Sequence, residues 1–110
     1  MLTLPTSKGT KLISLSTIIR IEAVSNYSRI YFTDGRTLLV AKVLRWFEMQ
    51  LPAERFMRIH RTHIVNAQFI EQYSKGKSAT VKLQSGELLT VAKRKRTWFL
   101  QSCYQPSVPV

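Results

Sequence analysis

Ile18-Ile-Arg-Ile-Glu-Ala-Val24 and Ser28-Arg-Ile-Tyr-Phe-Thr33, the latter followed by Asp34-Gly35 and Arg36-Thr-Leu-Leu-Val40, decide the fold class of this chain. In the first run Ile19, Ile21 and Ala23 alternate with Arg20 and Glu22, the period of a strand with one buried face. In the second, Ile30 and Phe32 alternate with Arg29, Tyr31 and Thr33. The two runs are expected to pair antiparallel, and Asp34-Gly35 reads as a two-residue hairpin signal leading into a third strand.

Outward from this block the pattern repeats. Residues 69–73, 79–83 and 87–91 are β-like runs, separated by the turn formers Lys75-Gly76 and Ser85-Gly86, and Ala79, Val81 and Leu83 share one face. Two stretches have helical spacing instead. In residues 42–51, Val43, Leu44, Phe47 and Leu51 form one apolar stripe that Pro52 terminates. From Arg94 to Tyr104, Phe99, Leu100 and Cys103 form a shorter one, and Pro106 and Pro109 turn the end into a tail. The chain has no internal repeat and no linker long enough to divide it. One mainly β domain is expected over residues 1–104, with one short internal helix and one short C-terminal helix, and a flexible tail over 105–110.

With 110 residues and 45% hydrophobic content, the chain can bury a real core without cross-links. Lys and Arg number 17 against 6 Asp and Glu, so the net charge is +11 and a polyanionic partner is indicated. Phosphate backbones and anionic membrane surfaces both qualify. The single cysteine, Cys103, cannot form an internal disulfide, and no run approaches the ~20 apolar residues of a membrane span. A cytoplasmic protein without a membrane segment is the expectation.

The cations are concentrated. Arg55-Phe-Met-Arg-Ile-His-Arg-Thr-His63 holds no acid, and Lys93-Arg-Lys-Arg96 is a second acid-free cluster at the opening of the C-terminal helix. Cations there oppose the helix dipole, so something other than helix stability favours them. The arginine fork grips guanine O6 and N7 or a phosphate, which suits Arg61 and Arg94 to base reading; Lys93, Lys95 and Arg96 suit backbone phosphates. By spacing alone, Arg55, Arg58 and Arg61 also fit one face of a helix. His60 and His63 lack the third ligand that a zinc site needs. The sequence shows no nucleophile elbow, no carboxylate pair beside the histidines and no glycine-rich phosphate loop, so neither an enzyme nor a cofactor is expected. Trp46, Trp98 and Phe99 lie beside basic residues, which keeps open an alternative: a non-specific basic protein on RNA or an anionic membrane surface.

The order of these signals resembles the LytTR DNA-binding domain. Ile21-Glu-Ala-Val-Ser-Asn-Tyr-Ser-Arg-Ile-Tyr31, Asp34-Gly35, the helix with Leu44 and Leu51, Phe56-Met-Arg-Ile-His-Arg-Thr-His-Ile-Val-Asn66, Ser85-Gly-Glu87 and Val91-Ala-Lys-Arg94 carry the resemblance, which spans residues 3–104. The Phe56–Asn66 pattern is its most specific part. The resemblance implies an elongated arrangement of small antiparallel sheets in a bacterial transcription regulator, of the kind that serves as a two-component response regulator output domain. It implies loops that enter successive major grooves of double-stranded DNA, with two copies paired on promoter direct repeats.

Residue by residue, the resemblance makes Phe56 to His60 extended and puts Arg61 in a loop. It implies a first reading loop over Asn26 to Arg29, with Ser28 contacting a base and Asn26 and Arg29 beside it. It implies a second loop at His60-Arg61-Thr62, with Arg61 reading a base and Arg58 and His60 supporting it or touching phosphate. A third falls at Lys93-Arg94, with Arg94 on a base and Lys95 and Arg96 near the backbone. Asn66 is expected to cap the turn after Ile64-Val65. Ala92 departs from the serine common in the family, and a receiver domain or upstream kinase would have to come from outside this sequence.

Overall fold

A computed structural model describes residues 1–74 and 79–92. In chain order the strands are β1 (Leu2–Thr6), β2 (Gly9–Ile13), β3 (Ile18–Val24), β4 (Tyr27–Phe32), β5 (Thr37–Val40), β6 (Phe56–His60), β7 (His63–Asn66), β8 (Ile70–Ser74), β9 (Thr80–Leu83) and β10 (Leu88–Thr90). Among the described residues one α-helix, α1 (Leu44–Gln50), lies between β5 and β6, and Leu15–Thr17 and Ala67–Phe69 form short 3-10 turns. Strands β5-β4-β3-β7-β6 form a central five-stranded sheet, β10-β9-β8 a three-stranded sheet and β1-β2 a hairpin. All pairings are antiparallel. The extents of 49 × 25 × 23 Å confirm the elongated, mainly β arrangement of small sheets expected from the sequence.

The central sheet is covered on both faces, and each face carries its own core. On one side Ile21, Ile30, Phe56 and Ile64 meet Leu44 and Phe47 of α1 and Leu2, Leu4 and Ile13 of the β1-β2 hairpin. On the other, Met57, Ile59 and Val65 meet Ala79, Val81, Leu83, Leu89 and Val91 of the three-stranded sheet. Consecutive residues of a strand point to opposite faces, so the adjacent buried pair Ile64 and Val65 marks β7 as a strand with two dry sides. Each fully buried Leu, Ile, Met or Phe stabilises the fold by about 1.5–3 kcal/mol.

Several local expectations are sharpened or corrected. The register of β3 against β4 shifts between Ile18 and Arg20. Ile18 therefore fills the first core and Ile19 packs against the second, instead of Ile19 sharing the face of Ile21 and Ala23. Arg20, read as the solvent side of the strand, is only 7% exposed because the three-stranded sheet covers that face. Val43 is not part of the apolar stripe of α1: it precedes the helix in extended conformation and is half exposed. The turn at Asp34-Gly35 spans three residues rather than two, closed by Phe32 N–H to the Arg36 carbonyl, with Gly35 at φ 89°. Ser85-Gly86 is built the same way, with Gly86 at φ 98°. The β1-β2 hairpin answers to no strand expected from the sequence, although Leu2 and Leu4 alternate into the core. Lys75-Gly76, the C-terminal helix, the tail and residues 93–96 lie outside the described residues.

Candidate nucleic-acid interface

Antiparallel pairing of β4, β3, β7 and β6 brings the β3-β4 and β6-β7 turns to the same end of the central sheet. Ala23 N–H donates to the Thr62 carbonyl at 2.9 Å and stitches the two turns together. The first is a two-residue turn, Ser25-Asn26, closed by the Val24–Tyr27 pair, with Ser25 in the left-handed region at φ 57°. Asn26 in the turn and Tyr27 just after it are exposed, and Arg29 is half-buried, opposite Glu22 and Leu39 on the neighbouring strands.

Ser28 differs from its neighbours. It is fully buried, and its hydroxyl donates to the Lys42 carbonyl at 2.6 Å. This corrects the expectation that Ser28 faces a base: strand alternation turns it inward, where it ties β4 to the segment entering α1.

The β6-β7 turn is held from both faces of the sheet. On the α1 side, the Arg58 guanidinium donates to the His60 carbonyl at 3.3 Å, to the Arg61 carbonyl at 2.7 Å and to the Glu48 carboxylate of α1. On the other side, His60 Nδ1 lies 2.7 Å from Thr62 Oγ1 and accepts the Thr62 N–H at 3.2 Å. A backbone N–H can only donate, so a neutral His60 carries its proton on Nε2. Arg61, whose backbone these contacts fix, is itself exposed. The structure thus brings Asn26, Arg29 and Arg61 to one end and uses Arg58 and His60 to brace the turn.

Ala92, which precedes the second basic cluster in the sequence, lies next to this end. Ala92 N–H donates to the Ile59 carbonyl at 2.7 Å, so the residue preceding Lys93 is anchored two positions before Arg61. Lys93, Arg94, Lys95 and Arg96 themselves are outside the described residues.

Sequence reasoning missed the charged network that joins the two larger sheets. Arg20 reaches Glu87 at 2.5 Å and Glu22 at 3.9 Å, and its guanidinium lies 3.7 Å over the Tyr31 ring. Tyr31 in turn donates to Glu22 at 2.8 Å. His63, paired across the sheet with Glu22, has its imidazole held below the usual histidine range, first by burial and then by the positive charge of Arg20. The alternation of Arg20 and Glu22 along β3 showed that these two share a face; only the overlying three-stranded sheet, from which Glu87 reaches Arg20, buries Arg20 there. Trp46, raised as a stacking residue, packs half-buried against the first core, edge-on to Phe47 at 5.0 Å. Among the described residues no three His, Cys, Asp or Glu side chains gather as a metal site, and no helix is long and apolar enough to cross a membrane.

A doubly covered sheet holds two exposed polar turns at one end, Ser25-Asn26 and the Arg61 turn, in a chain of net charge +11, an arrangement suited to a polyanionic partner. The LytTr DNA-binding domain family matches residues 8–102, and the chain belongs to that family of DNA-binding, transcription-regulating domains. Among solved structures it is similar to the LytTr DNA-binding domain of a protein named as a methyl-accepting/DNA response regulator from Bacillus cereus, with TM-score 0.74 and 25% identity over 89% of this chain and 91% of that one. No curated protein matches the chain.

Proposed function

We propose that this domain reads specific sequences in double-stranded DNA at promoters, inserting its turns into successive major grooves, with two copies side by side on direct repeats. The observation that carries the reading is the stitching of the Asn26 and Arg61 turns by the Ala23–Thr62 hydrogen bond. Two exposed polar turns held in fixed register at the end of a rigid sheet suit groove entry without a recognition helix. Arg61 and Arg94 are the base readers, each able to form a bidentate pair with guanine, and Asn26 and Arg29 form the contact surface of the first turn. Lys93, Lys95 and Arg96 neutralise phosphates. Arg58 and His60 hold the Arg61 turn in shape, while the inward-facing Ser28 ties β4 to the segment entering α1. The resemblance to a response-regulator domain suggests control by a receiver domain or an upstream kinase, and a bacterial cytoplasmic setting.

Selection from a random duplex pool tests the function directly, because it reports both a motif and its repeat spacing. Enrichment of a directly repeated motif is expected. Arg61→Ala and Arg94→Ala should each cost about 1–3 kcal/mol on that duplex and relax preference at one base, while Lys95→Ala weakens all duplexes alike. Affinity should fall with salt with a log–log slope of about −0.9 per phosphate contacted. A pool that returns no motif, or tighter binding to single-stranded RNA or anionic vesicles than to any duplex, defeats the proposal.

A further inference from the structure

We infer that Glu48 of α1 is a positioning residue for base reading, acting through Arg58 to hold the Arg61 turn in the shape that enters the groove. The inference rests on the DNA-reading function proposed above. Every nitrogen of the Arg58 guanidinium is engaged: Nε on the His60 carbonyl at 3.3 Å, one terminal nitrogen on the Arg61 carbonyl at 2.7 Å and the other on Glu48. The register shift of β6 between Arg58 and His60 takes the turn out of regular ladder pairing, and the planar fork spans the two carbonyls there. A lysine ammonium has no such fixed fork. Glu48 sets the remaining edge of the plane, so α1, packed on the first core through Leu44 and Phe47, becomes the rigid support of the turn.

Charge makes the assignment specific. Glu48 is one of only 6 acids in a chain of net charge +11, and it lies one side chain away from the turn that carries Arg61. A carboxylate there repels a phosphate backbone, and its removal by electrostatics alone strengthens binding to every duplex. A positioning role has the opposite sign on the preferred duplex.

The test compares wild type, Glu48→Ala, Arg58→Lys and the control Glu54→Gln, an exposed acid with no such contact, on the selected duplex and on a scrambled one. Glu48→Ala and Arg58→Lys are expected to lose about tenfold on the selected duplex, the scale of a spoiled bidentate base contact, with binding to the scrambled duplex unchanged or tighter. Glu54→Gln is expected to tighten both. In the free proteins, backbone order parameters at Arg61 and Thr62 should fall in Glu48→Ala while those of β3 and β4 stay at wild-type values. Glu48→Ala tightening both duplexes as Glu54→Gln does, or leaving the order of the turn unchanged, overturns the inference. A wild type that does not distinguish the two duplexes overturns the parent function and this role in reading with it.

Discussion

The Arg20 guanidinium lies 3.7 Å over the Tyr31 ring and reaches Glu87 on the facing three-stranded sheet at 2.5 Å. The pair fastens the two sheets at the edge of the second core. Removing either member strands the other, and the cost depends on how far the stranded charge is from water: Arg20 is buried, whereas Glu87 is partly solvated. Because the Glu87 side chain is 38% exposed, the cost stays below that of a fully buried pair. Glu87→Ala should therefore destabilise the fold by about 1–3 kcal/mol, and Arg20→Met by less, as read from urea midpoints at constant m-value.

Stability should fall as pH drops below the usual histidine range. The folded-state value of His63 is lowered from 6.5, by burial first and by Arg20 second. Above 6.5 the imidazole is neutral in both states; below it the unfolded chain takes up the proton first, which favours unfolding until pH reaches the folded value. Urea unfolding followed from about pH 7.5 to about pH 5 should show this loss, and His63→Gln should reduce its slope. An unchanged slope would refute it.

Asn66 joins three segments. Its carbonyl oxygen accepts Gln68 N–H at 3.1 Å, capping the turn after β7, and its amide donates to the Ile18 carbonyl at 2.8 Å and the Leu15 carbonyl at 3.4 Å. Asn66→Ala should cost about 2–3 kcal/mol, because buried partners lose their bonds. Asn66→Asp keeps the cap but has no donor for the two carbonyls, so thermal melts should show it nearer to Ala than to wild type.

Ser25 and Gly35 should respond in opposite directions. Ser25 occupies the left-handed region at φ 57°, which glycine adopts without strain, so Ser25→Gly should stabilise by about 0.5 kcal/mol. A Cβ on Gly35 meets open space, so Gly35→Ala should cost about 1 kcal/mol through its φ of 89° alone. Calorimetry on both variants measures the difference in sign.

Much of the fold was legible because strand periodicity and turn chemistry are local. The alternation around Ile30, the Asp34-Gly35 and Ser85-Gly86 turns, and the Leu44, Phe47, Leu51 stripe ending at Pro52 reappear as β4, two glycine-closed hairpins and α1. Asn66, expected to cap a turn, does so. The Leu2 and Leu4 alternation was also present but is too short to stand out; β1 tolerates Pro5 because it is an edge strand paired only with β2.

The sequence by itself determined the class of element at most of the described positions and the concentration of arginine in the Arg55–His63 stretch, the centre of the proposed interface. Tertiary structure alone decided which polar residues face water. Ser28 was expected outward and is enclosed, because Lys42, 14 residues away, lies over it. Arg20 alternates as a surface residue should and is buried, because a second sheet covers that face. Arg58 belongs to the basic cluster by composition, yet its guanidinium serves Glu48 and two carbonyls. Periodicity assigns a side to a residue; whether that side is solvent, core or brace depends on contacts between segments far apart in the chain.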